Sequence, residues 1–111
     1  MTGSREIDDL FDADGFLIEP ELWDRDLALR IAAAVRVEEL GEEHWAVIDY
    51  LRTHYLAHRT LPWEGNVCRE LALGEACVEG LFGGLYEAWK VAGLPNPGEE
   101  ARTYMLNQEP P

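Results

Sequence analysis

Residues 40–62 read LGEEHWAVIDYLRTHYLAHRTLP, and the fold is decided in this stretch. It predicts one long amphipathic helix with both ends written into the chain. Gly41 serves as N-cap, and Glu42 and Glu43 follow at the positive end of the helix dipole, where a carboxylate stabilises by about 0.3–1 kcal/mol. Leu40 and Trp45 flank the cap with the spacing of a hydrophobic staple. Trp45, Ile48, Leu51 and Tyr55 recur at helical spacing, while Glu43, Asp49, Arg52 and Arg59 fall mostly elsewhere on the wheel. His54, His58 and Arg59 gather near the negative end, and Pro62 prevents continuation.

Upstream, Ile7–Ile18 predicts a small β-hairpin. Leu10-Phe11 ends one apolar segment, Asp12-Ala13-Asp14-Gly15 supplies the turn, and Phe16-Leu17-Ile18 begins the return strand. Residues 1–6 are expected to fray. The aspartates around this turn lack the ligand periodicity and closing Glu of a calcium loop. Asp24 caps a helix expected to run to Arg36, with Leu27, Ile31, Ala34 and Val35 as its apolar stripe.

Downstream, Trp63-Glu64-Gly65 is a turn, and Asn66 caps a short helix through Leu73. The apolar run Ala76–Phe82 is helical up to Gly83-Gly84. A last helix from Leu85 to Ala92 ends at Gly93, which suits the left-handed C′ position. Pro95-Asn96-Pro97-Gly98 breaks the chain, and EEARTYMLNQEPP is polar enough for a mobile arm, with Tyr104, Met105 and Leu106 available for weak docking.

The chain of 111 residues makes one domain, 1–111, with a folded core over 7–94 and an arm over 95–111. Its net charge of −13 favours basic partners and opposes general binding to a phosphate backbone. No apolar run is long enough to span a membrane, and MTGSREIDD lacks the basic and apolar regions of a secretory signal, so a cytoplasmic location is expected. Cys68 and Cys77 make neither a disulfide framework nor a zinc-finger spacing, and two reduced structural thiols are expected. Cys68, in the first turn of its helix beside Arg69, is the candidate reactive thiol. His54 and His58 stand at i, i+4 without a third ligand, so no metal site is assigned. Trp23, Trp45 and Trp89 read as core, and Trp63, in its turn, as a partner contact. No catalytic triad order, phosphate loop or zinc-protease signature occurs, so neither an enzyme active site nor a cofactor is expected.

The order of segments resembles the DsrC/TusE family of sulfur-relay proteins. Three signatures carry the resemblance: Asp14-Gly15-Phe16-Leu17 with Trp23; Glu42-Glu43-His44-Trp45 continuing to Tyr50-Leu51-Arg52; and Leu81-Phe82 followed by Ala92-Gly93-Leu94-Pro95 and Pro97. The resemblance implies an α+β, mainly helical fold: an N-terminal β-hairpin packed on an orthogonal helical bundle, with a helix-turn-helix-like element and a flexible C-terminal arm that enters a partner. In the family the arm bears a reactive cysteine near the chain end, and DsrC proper has a second in the last helix before AGLP.

Here those places fall on about Glu100 and on Trp89, and neither an indole nor a carboxylate can form a persulfide. The resemblance therefore implies a non-catalytic, binding or regulatory homologue without carrier cysteines. It would dock on sulfur-relay or sulfite-reductase-type partners through Arg52, His58, Arg59, Trp63 and Tyr104. Two rival readings stand beside it. One is an active relay protein using Cys68. The other is a transcriptional regulator binding DNA through the helix-turn-helix-like element, although the net charge of −13 and the single Arg69 of Asn66–Leu73 disfavour a nucleic-acid partner.

Overall fold

The structure, a computed structural model, describes residues 7–106. Its helices are α1 (Arg25–Ala34), α2 (Glu42–His58), α3 (Glu64–Glu70), α4 (Cys77–Phe82), α5 (Leu85–Val91) and α6 (Glu99–Leu106), preceded by 3-10 turns at Ile7–Leu10 and Pro20–Leu22. The expected fraying of residues 1–6 and the last five residues of the arm lie outside the described residues.

The central helix forms where its end signals place it. Gly41 is the N-cap, its N–H donating to His44 Nδ1 at 3.0 Å, and Arg59 closes the far end in the left-handed region. Ile48 and Leu51 are fully buried as expected, joined by Val47, which the periodic reading left out. Asp24 caps α1 by accepting the Leu27 N–H at 2.8 Å. The buried stripe of α1 is Leu27, Ala28, Ile31 and Ala32, so Leu27 and Ile31 face the core as expected, whereas Ala34 is exposed and Val35 only half-buried.

α5 is the hub. It packs on α1, α2, α4 and α6, with Leu85, Ala88, Trp89 and Val91 buried. Its end is a full Schellman closure: Gly93 N–H donates to Lys90 O and Leu94 N–H to Trp89 O. Gly93 has φ +69, the left-handed conformation this closure needs.

The N-terminal hairpin is corrected. Among the described residues there is no strand, only one antiparallel bridge between Phe11 and Leu17. The turn itself forms: Asp12 Oδ1 accepts from Asp14 and Phe16 N–H, Gly15 N–H donates to Asp12 O, and Gly15 takes φ +91. What fails is the strand period. Phe16 and Leu17 are neighbours and both are fully buried, whereas a strand sends successive side chains to opposite faces. Phe16 meets Tyr86 edge-on at 5.5 Å and lies beneath Lys90, so the chain is drawn onto α5 rather than along a partner strand.

The two cysteines are also corrected. Cys68 and Cys77 form a disulfide, with Cα atoms 5.7 Å apart. α3 begins earlier than expected, after Trp63, and Asn66 lies inside it accepting from Arg69. Where composition predicted a mobile arm, Glu99–Leu106 is a helix laid on α5, with Met105 buried.

Candidate functional site

Three segments far apart in sequence meet beside the end of α5. Trp23, following the turn at Pro20, donates its indole N–H to Val91 O at 2.9 Å. Arg52, from the middle of α2, lies 4.3 Å over the Trp23 ring and donates to Ala92 O at 2.8 Å and Pro20 O at 3.3 Å. Gly93 completes the fit, since a Cβ there would stand 2.0 Å from Trp23 Cδ1. One guanidinium thus binds two carbonyls while its flat face covers an indole, a geometry that a lysine ammonium cannot reproduce. Burial lowers the Arg52 pKa, with Asp49 pulling the other way, and the side chain stays charged throughout.

This junction fixes the chain as it leaves the body. Trp89, 1% exposed, donates its indole N–H to Pro95 O at 2.8 Å and meets Tyr55 edge-on at 5.6 Å. Asn96 donates to Asp12 Oδ2 and Asp14 Oδ2, both at 3.1 Å, and Arg102 of α6 reaches Asp14 at 3.1 Å. Burial raises the Asp12 pKa, but bonds from Phe16, Asn96, Asp14 and Gly15 outweigh it and the net shift is downward. The N-terminal turn and the C-terminal segment are therefore clasped together.

The residues singled out from sequence separate into different settings. Arg52 faces inward and is spent on the junction. His58 and Arg59 are exposed at the end of α2, with Arg59 5.3 Å over the Tyr55 ring. His54 lies 4.9 Å from His58 and 3.2 Å from Thr60 Oγ1. Burial, then the neighbouring His58, lowers the His54 pKa, so His54 is neutral near pH 7. Trp63 is 56% exposed before α3, and Tyr104 is 43% exposed on α6. Glu100 is exposed in the first turn of α6. Cys68 is 3% exposed and bonded to Cys77, so no free thiol exists there in this state. Among the described residues no His, Cys, Asp or Glu cluster could hold a metal ion, and no helix is long and apolar enough to cross a membrane.

Sequence reasoning missed Asp12, Asn96 and Arg102 as a clasp. The signal was an Asn between two prolines, a rigid extended stretch with one side chain able to bridge, but nothing local named its acceptors.

The profile of the family described as DsrC like protein matches residues 5–99. The sulfurtransferase TusE of Salmonella choleraesuis is 36% identical over 95 residues, covering 78% of this chain and 86% of the relative. The sulfurtransferase TusE homolog of Haemophilus influenzae is 33% identical over 97 residues, covering 79% and 88%. Among solved structures, the oxidized gamma-subunit of the dissimilatory sulfite reductase (DsrC) from Archaeoglobus fulgidus superposes with a TM-score of 0.69 at 32% identity, covering 80% of this chain and 89% of that one. A chain of dissimilatory sulfite reductase I (DsrI) reaches a TM-score of 0.72 at 26% identity, covering 79% and 86%. With its profile match spanning most of its length and the signature residues Trp23, Arg52, Ala92 and Gly93 meeting at one junction, this chain belongs to the DsrC-like family.

Proposed function

We propose that this protein is a partner-binding member of a sulfur-relay or sulfite-reductase-type system, and that it carries no sulfur on its C-terminal segment. One observation carries the reading. Trp89, at the place where the resemblance expects a cysteine, is a buried anchor that holds the start of the segment through Pro95. Glu100, near the place of the other, is a carboxylate on the outer surface of α6. Neither group can accept sulfane sulfur, so the scaffold serves recognition rather than catalysis, without a cofactor.

The recognition surface is assigned to His58, Arg59, Trp63 and Tyr104, all exposed. Arg52 acts behind it by positioning the Ala92–Pro95 exit. The chain from Pro95 onward is the arm that meets the partner, the body over 7–94 is the scaffold, and the location is cytoplasmic. The helix-turn-helix-like element corresponds to α3, the turn after it and α4. As a DNA reader it is disfavoured, because Arg69 is occupied by Asn66 and the chain is strongly acidic.

The test is capture of sulfur-relay and sulfite-reductase subunits by the full chain and by a chain ending at Pro95. The full chain is expected to capture a subunit, and the shortened one to lose at least tenfold in affinity. Absence of capture by both removes the reading. Salt-sensitive retention of the full chain on duplex DNA would instead favour the regulator.

A further inference from the structure

Cys68 and Cys77 are the two cysteines of the chain, and their disulfide joins α3 to the first residue of α4. Three features of the surroundings distinguish it from a structural staple. The bridge closes a separation of only nine residues, and a short loop restrains the unfolded chain less than a long one. The segment it closes contains Ala72 and Ala76, with φ of 59° and 58°. Residues with a Cβ occupy that left-handed region at a cost, so the closed loop is held in a conformation its own residues disfavour.

The third feature is an asymmetry between the sulfurs. Cys68 is 3% exposed and belongs to the core with Val67 and Val78, whereas Cys77 is only half-buried. The Cys77 backbone N–H donates to Cys68 Sγ at 3.2 Å. A thiol arriving from solvent therefore meets Cys77 first, and the charge that would develop on Cys68 already has a donor.

We infer that Cys68–Cys77 is a redox-active site for thiol–disulfide exchange with a dithiol, with Cys77 as the sulfur attacked and Cys68 as the leaving group. In the first step one thiolate of the dithiol bonds to Cys77 Sγ. The Cys68–Cys77 bond breaks, and its electron pair leaves on Cys68, which then takes a proton from water. In the second step the other thiol of the reagent, deprotonated, displaces Cys77, which leaves as a thiolate and is protonated in turn. The protein gains two electrons and two protons, and the dithiol is oxidised to its disulfide. Reduction releases the loop from Leu71 to Ala76 and leaves two thiols at the α3–α4 edge. Exchange proceeds by attack of a thiolate on an accessible sulfur, so access decides its direction.

The test uses the native full chain with no denaturant and no partner, so its outcome is independent of the capture experiment. Dithiothreitol is expected to reduce the bond completely, with amide exchange rising about tenfold across residues 71–76 and unchanged in α2 and α5. With excess glutathione followed by acid quenching, peptide mapping is expected to find glutathione on Cys77 at least tenfold more often than on Cys68. Three results each overturn the inference. They are reduction that needs denaturant, glutathione shared equally by the two cysteines, and loss of protection throughout the chain on reduction.

Discussion

Two contacts tie distant parts of this chain together at the exit of the C-terminal segment, and they are built differently. The junction of Trp23, Arg52 and Gly93, whose Trp23–Val91 bond spans 68 residues of sequence, uses part-buried bonds from side chains to backbone carbonyls. The clasp of Asp12 and Asp14 with Asn96 and Arg102 spans up to 88 residues, from Asp14 to Arg102, and uses carboxylates, of which Asp14 is exposed. Hydrogen bonds to a charged group shielded from water contribute about 1.5–3 kcal/mol, whereas exposed ion pairs contribute about 0–1 kcal/mol. The junction thus fixes where the segment leaves the body, and the clasp sets only how long it stays down.

The sharpest way to break the difference is at the root. Gly93→Ala puts a methyl group where Trp23 Cδ1 lies 2.0 Å away, in a backbone conformation with φ +69. Trp23 must move and surrender its bond to Val91, so the cost is expected at about 3 kcal/mol or more, read as a lowered urea midpoint. Arg52→Met keeps a stem of similar length but strips two donors from Ala92 and Pro20 and uncovers the Trp23 ring. Its expected cost is about 2 kcal/mol, and Arg52→Lys should recover less than half of that, since an ammonium cannot bridge both carbonyls and stack. Equal urea midpoints for wild type and Arg52→Met would reduce the junction to a surface contact.

What could be read in advance follows the same division. The ends of α2 and the Schellman closure were legible because Gly41, Glu42, Glu43 and the Ala92–Pro95 run act within a few residues of themselves. That Arg52 would turn inward was not legible, because periodicity places a cation on a face without saying that the stem folds back over an indole. Asp12–Gly15 correctly announced a reversal, but Phe16 and Leu17 are both drawn inward by α5, which no local pattern records. Cys68 and Cys77 each read as a small apolar residue, and only the tertiary path brings their Cα atoms to 5.7 Å. α6 reads as polar tail because eight residues cannot hold a helix alone. Met105 and Arg102 supply the missing energy through contacts far away in sequence.

The weaker contact gives the smallest and most condition-dependent effects. Arg102 and Asp14 retain 26% and 42% of their side-chain exposure, so solvent screens the pair and Arg102→Gln should cost only about 0.5 kcal/mol. The cost should shrink further in 1 M salt, where the Debye length is about 3 Å. Acid should loosen the clasp by a second route. The folded pKa of Asp12 lies below its ordinary value of 3.8, so its contribution is complete above that value and is lost as pH falls through the folded one. Protection of α6 amides should therefore fall below about pH 4 relative to that of α2, and Asp12→Asn should weaken that pH dependence. If α6 and α2 lost protection together at every pH and salt concentration, root and tip would be one cooperative unit, and the segment would have no separate freedom to offer a partner.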